Sequence, residues 1–456
     1  MKRSNHPDSS HNFAQADPTT ASDSGENFCL AREFTSAAMV SRPNRFILEV
    51  RAEAKESQNS EEGEVIRAYL PNPGRMRELL GERGIFHLRN DSPGRPASKG
   101  GEAISCSSAD LNAAKGRATT KGRATTKGRT TTKRRTTSST VVAMTLNNDV
   151  RLLHSGMTND MVAWAIERCL VPGLEEFRIL KREYSWNKSR FDFLLEHRGN
   201  CQKALLEVKS CNLVEGGTAS FPDAPSERAS RHLNHLLEAV KTKVADMAFT
   251  LVAVTGPRPE RFIPNLFTDP LFARTWQKVS TNSSPGVTHL ICHFPLDSNL
   301  CLKADSISPV PWDENLQMEK GIDRGSYMII SRLARNEAIT VGALGKVDFS
   351  AGFHVYVGSA MNGLKARIKR HLSRKKRFHW HADYLFARAE TLEAVCFPSE
   401  IRNECEIAAW VRSWSDYEVP SFGSSDCQCK SHLFHFSRDP RRISEFMAQV
   451  FARQLS

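Results

Sequence analysis

Asp192, Glu207 and Lys209 sit inside two short apolar runs, RFDFLLEH and KALLEVKS, joined by the turn-prone RGNC. Apolar segments seldom carry charge at their centres unless the charge is paired or does chemistry. Gly199-Asn200 is a two-residue hairpin signal, because glycine accepts positive φ and asparagine tolerates it. Counting outward sets Arg198 against Cys201, Glu196 against Lys203 and Asp192 against Glu207, and the opposite charges of the middle pair support that register. The two carboxylates then share one face of the sheet, about 4.5–5.5 Å apart at Cβ, with Lys209 two residues along. Opposed acids in apolar surroundings repel, and a hard divalent cation, Mg²⁺ or Mn²⁺, resolves the conflict through oxygen ligands. Asp192 and Glu207 are therefore candidate catalytic metal ligands, and Lys209 is placed to neutralise charge on a phosphate or to orient the attacking water. A structural ion-pair cluster, or a register that separates the acids, is the competing reading.

The elements that must hold this hairpin are visible on either side of it. TNDMVAWAIERCL has helical apolar spacing with Thr158 or Asn159 as its cap, and SERASRHLNHLLEAVK gives a second helix after FPDAP. AFTLVAV follows as a β-rich run, so helix, acid-bearing strands, helix and strand predict an α/β sandwich with both helices covering the sheet. Upstream, RFILEV and EVIRAYL alternate and lead into the turn-rich PNPGRM, which predicts a small OB-like β module. Arg75 and Arg77, just past the Pro-Gly turn, are candidate phosphate contacts.

A chain of 456 residues exceeds what one core organises. The expected fold class is multidomain α+β: a polar, disordered N-terminus over 1–38, the β module over 39–96, a basic low-complexity insertion over 97–139, the α/β domain over 140–300, a linker over 301–320 and a further α/β domain over 321–446. The formal charge of +12 is local. Residues 115–135, KGRATTKGRATTKGRTTTKRR, hold nine basic residues and no acidic one, and 321–456 hold 20 Lys and Arg against 14 Asp and Glu. The rest of the chain is slightly acidic. The repeat has nothing to build a core from, so it reads as a flexible surface insertion or as an arm that grips phosphates. No apolar run approaches the roughly 18 residues of a membrane span, and the polar start has no signal core, so a soluble cytoplasmic protein without a membrane partner is expected. Eleven cysteines, mostly single inside apolar segments, argue for free thiols rather than a disulfide framework.

LPNPGRM, LLHSGMTN, RFDFLLE, LLEVKS and FPDAPSERASRHL together resemble the sugar fermentation stimulation protein family over roughly 40–297. The resemblance implies an OB-like module joined to a PD-(D/E)XK nuclease-like domain, with DNA or RNA as ligand and Mg²⁺ as the metal. Asp192, Glu207 and Lys209 fall on that motif one by one, although Phe191 stands where the motif has proline. Glu167 is a possible third carboxylate by the same resemblance. Asp223, Glu227, Arg228, Arg231 and His232 lie in the family-like stretch downstream, with Arg228 and Arg231 placed to meet phosphate and Asp223 as a helix cap. The basic repeat falls between the β module and the nuclease-like domain.

The last domain opens with GSYMIISRL and runs through FHVYVGSA to NGLKARIKRHLSRKK. Leu364, Ile368 and Leu372 make an apolar stripe on a basic helix, Arg367 and His371 a second row, and Asn362 a candidate N-cap. Tyr327, Tyr356 and Arg367 suit phosphodiester chemistry, with phenols as acid/base or water-positioner and the guanidinium as anion stabiliser; Lys365 and Arg370 are candidate nucleic-acid contacts. The segment resembles the GIY-YIG nuclease superfamily, and within it an uncharacterised GIY-YIG-like family of DUF123 type, over 321–436. By that resemblance Arg367 is the helix arginine, and Glu404 is the catalytic, metal-binding carboxylate, with Glu406 as its alternative. The 28 residues between Tyr327 and Tyr356 require an extended hairpin.

Cys405, Cys427, Cys429 and His432, with His379 and His381 nearby in the chain, offer soft ligands for Zn²⁺, against the plainer reading of cytosolic thiols near a loop. No small-molecule cofactor is expected. The sequence thus supports a metal-dependent DNA or RNA phosphodiesterase with a second nuclease or targeting domain. Its rivals are a non-catalytic DNA-binding regulator of sugar-utilisation genes and a binding scaffold.

Overall fold

The computed structural model describes residues 27–52, 64–90, 137 and 139–456, apart from positions 32, 73, 82, 281–284 and 376. The expectations for residues 1–26 and for most of the 97–139 insertion, its basic repeat included, lie outside the described residues.

The first domain has six strands: Thr35–Asn44 (β1), Ile47–Ala52 (β2), Val65–Tyr69 (β3), Ile85–Asn90 (β4), Ser139–Leu146 (β5) and Asp149–Leu152 (β6). They run in the order β3-β2-β1-β4-β5-β6, and a parallel pairing of β3 with β5, Ala68 opposite Ser139, closes five of them into a barrel around Leu48, Val50, Phe86 and Val141. The barrel therefore reaches well past residue 96. Strand β5 reads as a continuous apolar run, TVVAMTL, because both of its faces are covered, and so its alternation gives no sign of barrel membership. Asn90 pairs directly with Ser139, which places the basic repeat within a hairpin of the barrel rather than between two domains.

Two further expectations are corrected at the N-terminus. Phe28–Cys29 forms a short strand against Cys301–Leu302, and β1 begins at Thr35, so the ordered chain starts before residue 39. Cys29 and Cys301 are joined by a disulfide, where free thiols were expected. A separation of 272 residues hides such a pair from any reading of local spacing.

The middle domain comprises Ser155–Glu167 (α1), Phe177–Trp186 (β7), Ser189–His197 (β8), Lys203–Cys211 (β9), Glu227–Lys241 (α2), Met247–Val254 (β10), Pro270–Val279 (α3) and Thr288–His293 (β11). The sheet order is Ser308–Pro309, β11, β10, β9, β8, β7, with β9, β10 and β11 parallel. Helix α1 packs Met161 and Ile166 on one face, and α2 and α3 pack Leu233, Leu236 and Trp276 on the other. Helix α1 starts earlier than expected, because His154 caps it by accepting from Met157 N (3.3 Å). That leaves Asn159 inside the helix with its side chain free for another partner. The presumed linker is also built in: Ser308–Pro309 is the sheet's edge strand and Glu314–Lys320 is a helix.

The C-terminal domain contains Gly325–Leu333 (β12), Gly352–Ala360 (β13), Leu364–Leu372 (α4), His381–Arg388 (α5), Thr391–Pro398 (β14), Glu404–Arg412 (α6), Leu433–Phe436 (β15) and Ser444–Leu455 (α7). Its sheet order is β14-β12-β13-β15, extended by Tyr417–Glu418. A small hairpin, Glu337–Thr340 against Lys346–Phe349, fills the interval between β12 and β13. Helices α4 and α5 cover one face, and α6 and α7 the other. Asn362 does not cap α4; Asp323 reaches across and accepts from Lys365 N (2.8 Å). No described helix is long and apolar enough to cross a membrane.

Candidate active site

The hairpin β8–β9 has the register counted from its sequence: Glu196 pairs with Lys203, and the ladder continues to Phe193 opposite Leu206. Its loop is wider than two residues, with Cys201 as the left-handed residue (φ 58°) and His197 N donating to Gln202 O (2.9 Å). One step past the last paired residues the strands part, so Asp192 and Glu207 are not the facing pair on one face that the count predicts; their partners come from helices on opposite faces of the sheet. Asp192 Oδ2 accepts from Val208 N (2.7 Å), while Oδ1 accepts from Asn159 Nδ2 on α1 (2.7 Å).

Glu207, only 4% exposed, lies against α2. Its Oε1 takes Lys209 Nζ at 2.6 Å and meets His232 Nδ1 at 2.6 Å. Its Oε2 is buried and has no hydrogen-bond partner. Burial, backed by the negative charge of Glu207, pushes the Asp192 carboxyl up to about 6 against the pull of Lys209. Burial also works against ionisation of Glu207, but Lys209 and His232 together outweigh it and hold that carboxyl below its ordinary range. The result is one carboxylate held in its charged form near a second that resists charging, with one buried oxygen unmatched. Hard divalent cations such as Mg²⁺ and Mn²⁺ take such oxygens, so Asp192 and Glu207 fit as ligands by the chemistry of their donors.

In the C-terminal domain Tyr327 and Tyr356 approach with ring centroids 6.4 Å apart. Tyr327 Oη and His371 Nε2 are 2.8 Å apart, and burial, partly offset by Arg367, raises that phenol to about 12. Burial raises the Tyr356 phenol as well. Arg367 lies 4.3 Å from the Trp380 ring centroid and its Nη1 donates to Ser359 O (3.5 Å). Glu404, at the first turn of α6, is ion-paired through Oε1 with Arg402 Nε (3.1 Å), and its Oε2 is buried without a partner. Arg402 Nε also donates to Ser359 Oγ (3.1 Å), so both guanidinium groups converge on Ser359.

Comparison with known proteins follows these domains. Residues 40–106 match the profile of the SfsA N-terminal OB domain, 156–299 that of the sugar fermentation stimulation protein RE domain, and 326–454 that of DUF123, a domain of unknown function with GIY-YIG-like character. A sugar fermentation stimulation protein homolog of Methanothermobacter thermautotrophicus is 32% identical over 234 residues, covering 51% of this chain and 76% of its own length. One from Methanosphaera stadtmanae is 30% identical over 275 residues, covering 60% and 90%. The chain belongs to the sugar fermentation stimulation protein family. A solved structure of Pyrococcus furiosus SfsA in complex with Ca²⁺ overlaps 63% of this chain and 99% of its own at 19% identity, with a TM-score of 0.47.

In this member of the sugar fermentation stimulation protein family, several residues expected to contact nucleic acid are engaged elsewhere. Arg77 Nη1 pairs with Glu393 at 2.6 Å and Arg75 Nη1 at 3.5 Å, so the barrel turn is tied to β14 of the C-terminal domain, with Arg441 on the same carboxylate (2.7 Å). Arg370 grips the fully buried Asp383 through two hydrogen bonds, at 3.0 and 2.9 Å. These three arginines hold the protein's own carboxylates, a pairing that distant sequence positions conceal. Arg228, Arg231 and Lys365 are exposed, and Arg228 Nε lies 3.4 Å from His232 Nε2. Glu167 closes α1 as an exposed residue. Asp223 is not a helix cap: Ser226 caps α2, and Asp223 Oδ2 accepts from Met76 N (3.0 Å) in the barrel. Gly74 permits that approach, since a Cβ there would lie 2.2 Å from Asp223 Oδ2. Asn159 and His232 were not singled out for the roles they take. His232 had a signal, since it sits beside the apolar stripe Ala229, Leu233 and Leu236 and is buried with it.

Proposed function

We propose that this chain is a metal-dependent nucleic-acid phosphodiesterase whose hydrolytic centre is the Asp192, Glu207 and Lys209 cluster. The observation that carries the reading is Glu207 Oε2, buried and unpartnered next to a second carboxylate. An uncompensated buried oxygen of this kind costs stability, and proteins retain such costs at sites that use them. Asp192 and Glu207 would hold Mg²⁺ or Mn²⁺, which when bound supplies Lewis acidity toward a phosphate oxygen and lowers the pKa of water. Asn159 and Val208 N fix the Asp192 carboxylate, and His232 fixes Glu207 from the opposite side. Lys209, held at Glu207, presents an ammonium toward the charge that develops on the phosphate. Arg228 and Arg231 on the exposed face of α2 supply phosphate contacts, and the barrel carries the strand. The C-terminal domain serves as a second nuclease or as a targeting unit.

The test is purified wild type beside Asp192→Ala and Glu404→Ala on labelled single- and double-stranded DNA and RNA, with and without chelator. Chelator-sensitive cleavage that falls about 10³-fold or more in Asp192→Ala, with binding retained, supports the reading, since a bound metal contributes several kcal/mol to phosphoryl transfer. Binding unchanged and no metal-dependent cleavage by wild type would favour the rival, a DNA-binding regulator of sugar-utilisation genes without catalytic activity.

A further inference from the structure

Outside both centres, one metal-ligating cluster among the described residues has no role so far. Cys405 lies in the first turn of α6, Cys427 and Cys429 in the loop between Tyr417–Glu418 and β15, and His432 at the end of that loop. Their three sulfurs and one ring nitrogen all lie within 4.8 Å of one another. His379 and His381, their neighbours in the sequence reading, are not in the group. His432 Nε2 is 3.4 Å from Cys427 Sγ and 4.0 Å from Cys405 Sγ. A tetrahedral zinc with Zn–S about 2.3 Å and Zn–N about 2.0–2.1 Å separates its nitrogen and sulfur ligands by about 3.6 Å. The two observed distances bracket that value. None of the three cysteines is disulfide-bonded.

We infer that Cys405, Cys427, Cys429 and His432 form a structural zinc site. Soft thiolates with one imidazole select zinc over the hard cations suited to Asp192 and Glu207. Four protein ligands complete the tetrahedron and leave no position for substrate, which makes the site structural rather than catalytic. The metal would cross-link the start of α6, where Glu404 sits, to the loop whose Phe422 is fully buried in the domain core. That loop also backs the tyrosine pair: at Gly423 (φ 72°) an added Cβ would lie 2.7 Å from the Tyr356 ring. Zinc in this position fastens the wall behind Tyr356 and the helix turn bearing Glu404 as one unit.

The test is the metal content of the full-length protein by plasma mass spectrometry, after purification without chelator and reconstitution with zinc. The expected result is about one zinc per chain, kept by Cys169→Ser and by the Asp192→Ala/Glu207→Ala double variant and lost in Cys427→Ser/Cys429→Ser. Cobalt in place of zinc should give thiolate charge-transfer absorption of a tetrahedral site. Cys405→Ser leaves three ligands and guards against a double variant that fails to fold; its zinc affinity, by competition with a chromogenic chelator, should fall at least about 10-fold. Wild type with no zinc, stoichiometry that follows Asp192 and Glu207 instead of the cysteines, or unchanged affinity in Cys405→Ser would each overturn the inference.

Discussion

At the β8–β9 hairpin, Lys209 and His232 both approach one oxygen of Glu207 and leave the other bare, whereas in the C-terminal domain most charged groups already have a counterpart in the protein. There Arg370 is matched to Asp383, Arg402 to Glu404, and Tyr327 to His371. The two regions contain similar residue types. Each keeps one buried carboxylate oxygen without a partner, on Glu207 and on Glu404, and they differ in its company: a second buried acid, Asp192, in the first and the Arg402 guanidinium in the second. Two buried acids close together with an oxygen to spare are what an incoming cation can use; one acid beside a guanidinium has its charge already met.

The contrast can be broken most sharply by Glu207→Gln set beside Glu404→Gln. The first should abolish chelator-sensitive cleavage by about 10³-fold or more, and the second should change it less than about threefold; equal losses would erase the distinction. A smaller effect is expected from His232→Ala, which removes a positioning residue. It should raise the Mg²⁺ concentration for half-maximal activity by about 10–100-fold while leaving nucleic-acid affinity unchanged, and an unmoved metal midpoint would reduce His232 to packing.

The barrel's contact with β14 sharpens the comparison through pH. Burial opposes ionisation of Glu393, but Arg77 and Arg441 hold its carboxyl down to about 2 from an ordinary 4.5. A depressed carboxyl contributes stability that is present above the unfolded value and lost as pH falls through the folded one. The gap in melting temperature between wild type and Glu393→Gln should therefore be full at neutral pH and close between pH 4.5 and about 2. The mildest expected change is Gly74→Ala, whose Cβ would press on Asp223 and cost about 1 kcal/mol, read by denaturant unfolding.

The hairpin register was legible because strand registry is arithmetic: charges at Glu196 and Lys203 fixed an offset that holds as far as Phe193 opposite Leu206. The parting of the strands beyond it, which sends Asp192 toward α1 and Glu207 toward α2, leaves no mark in the spacing. Thr158 or Asn159 was expected as the cap, but His154, seldom a capping residue, caps α1 five residues ahead of Asn159. The partners of Arg75, Arg77 and Arg370 were out of reach, since ion pairs across domains or between successive helices leave no local spacing to read. Barrel membership of β5 was hidden for a different reason: burial on both faces erases the period of two that marks a strand.

Because Asn90 and Ser139 are direct cross-strand partners, everything between them begins and ends at one spot on the barrel rim. The ladder between the two strands, not the intervening chain, holds those ends together. Units gained or lost between them leave the register of both strands as it is.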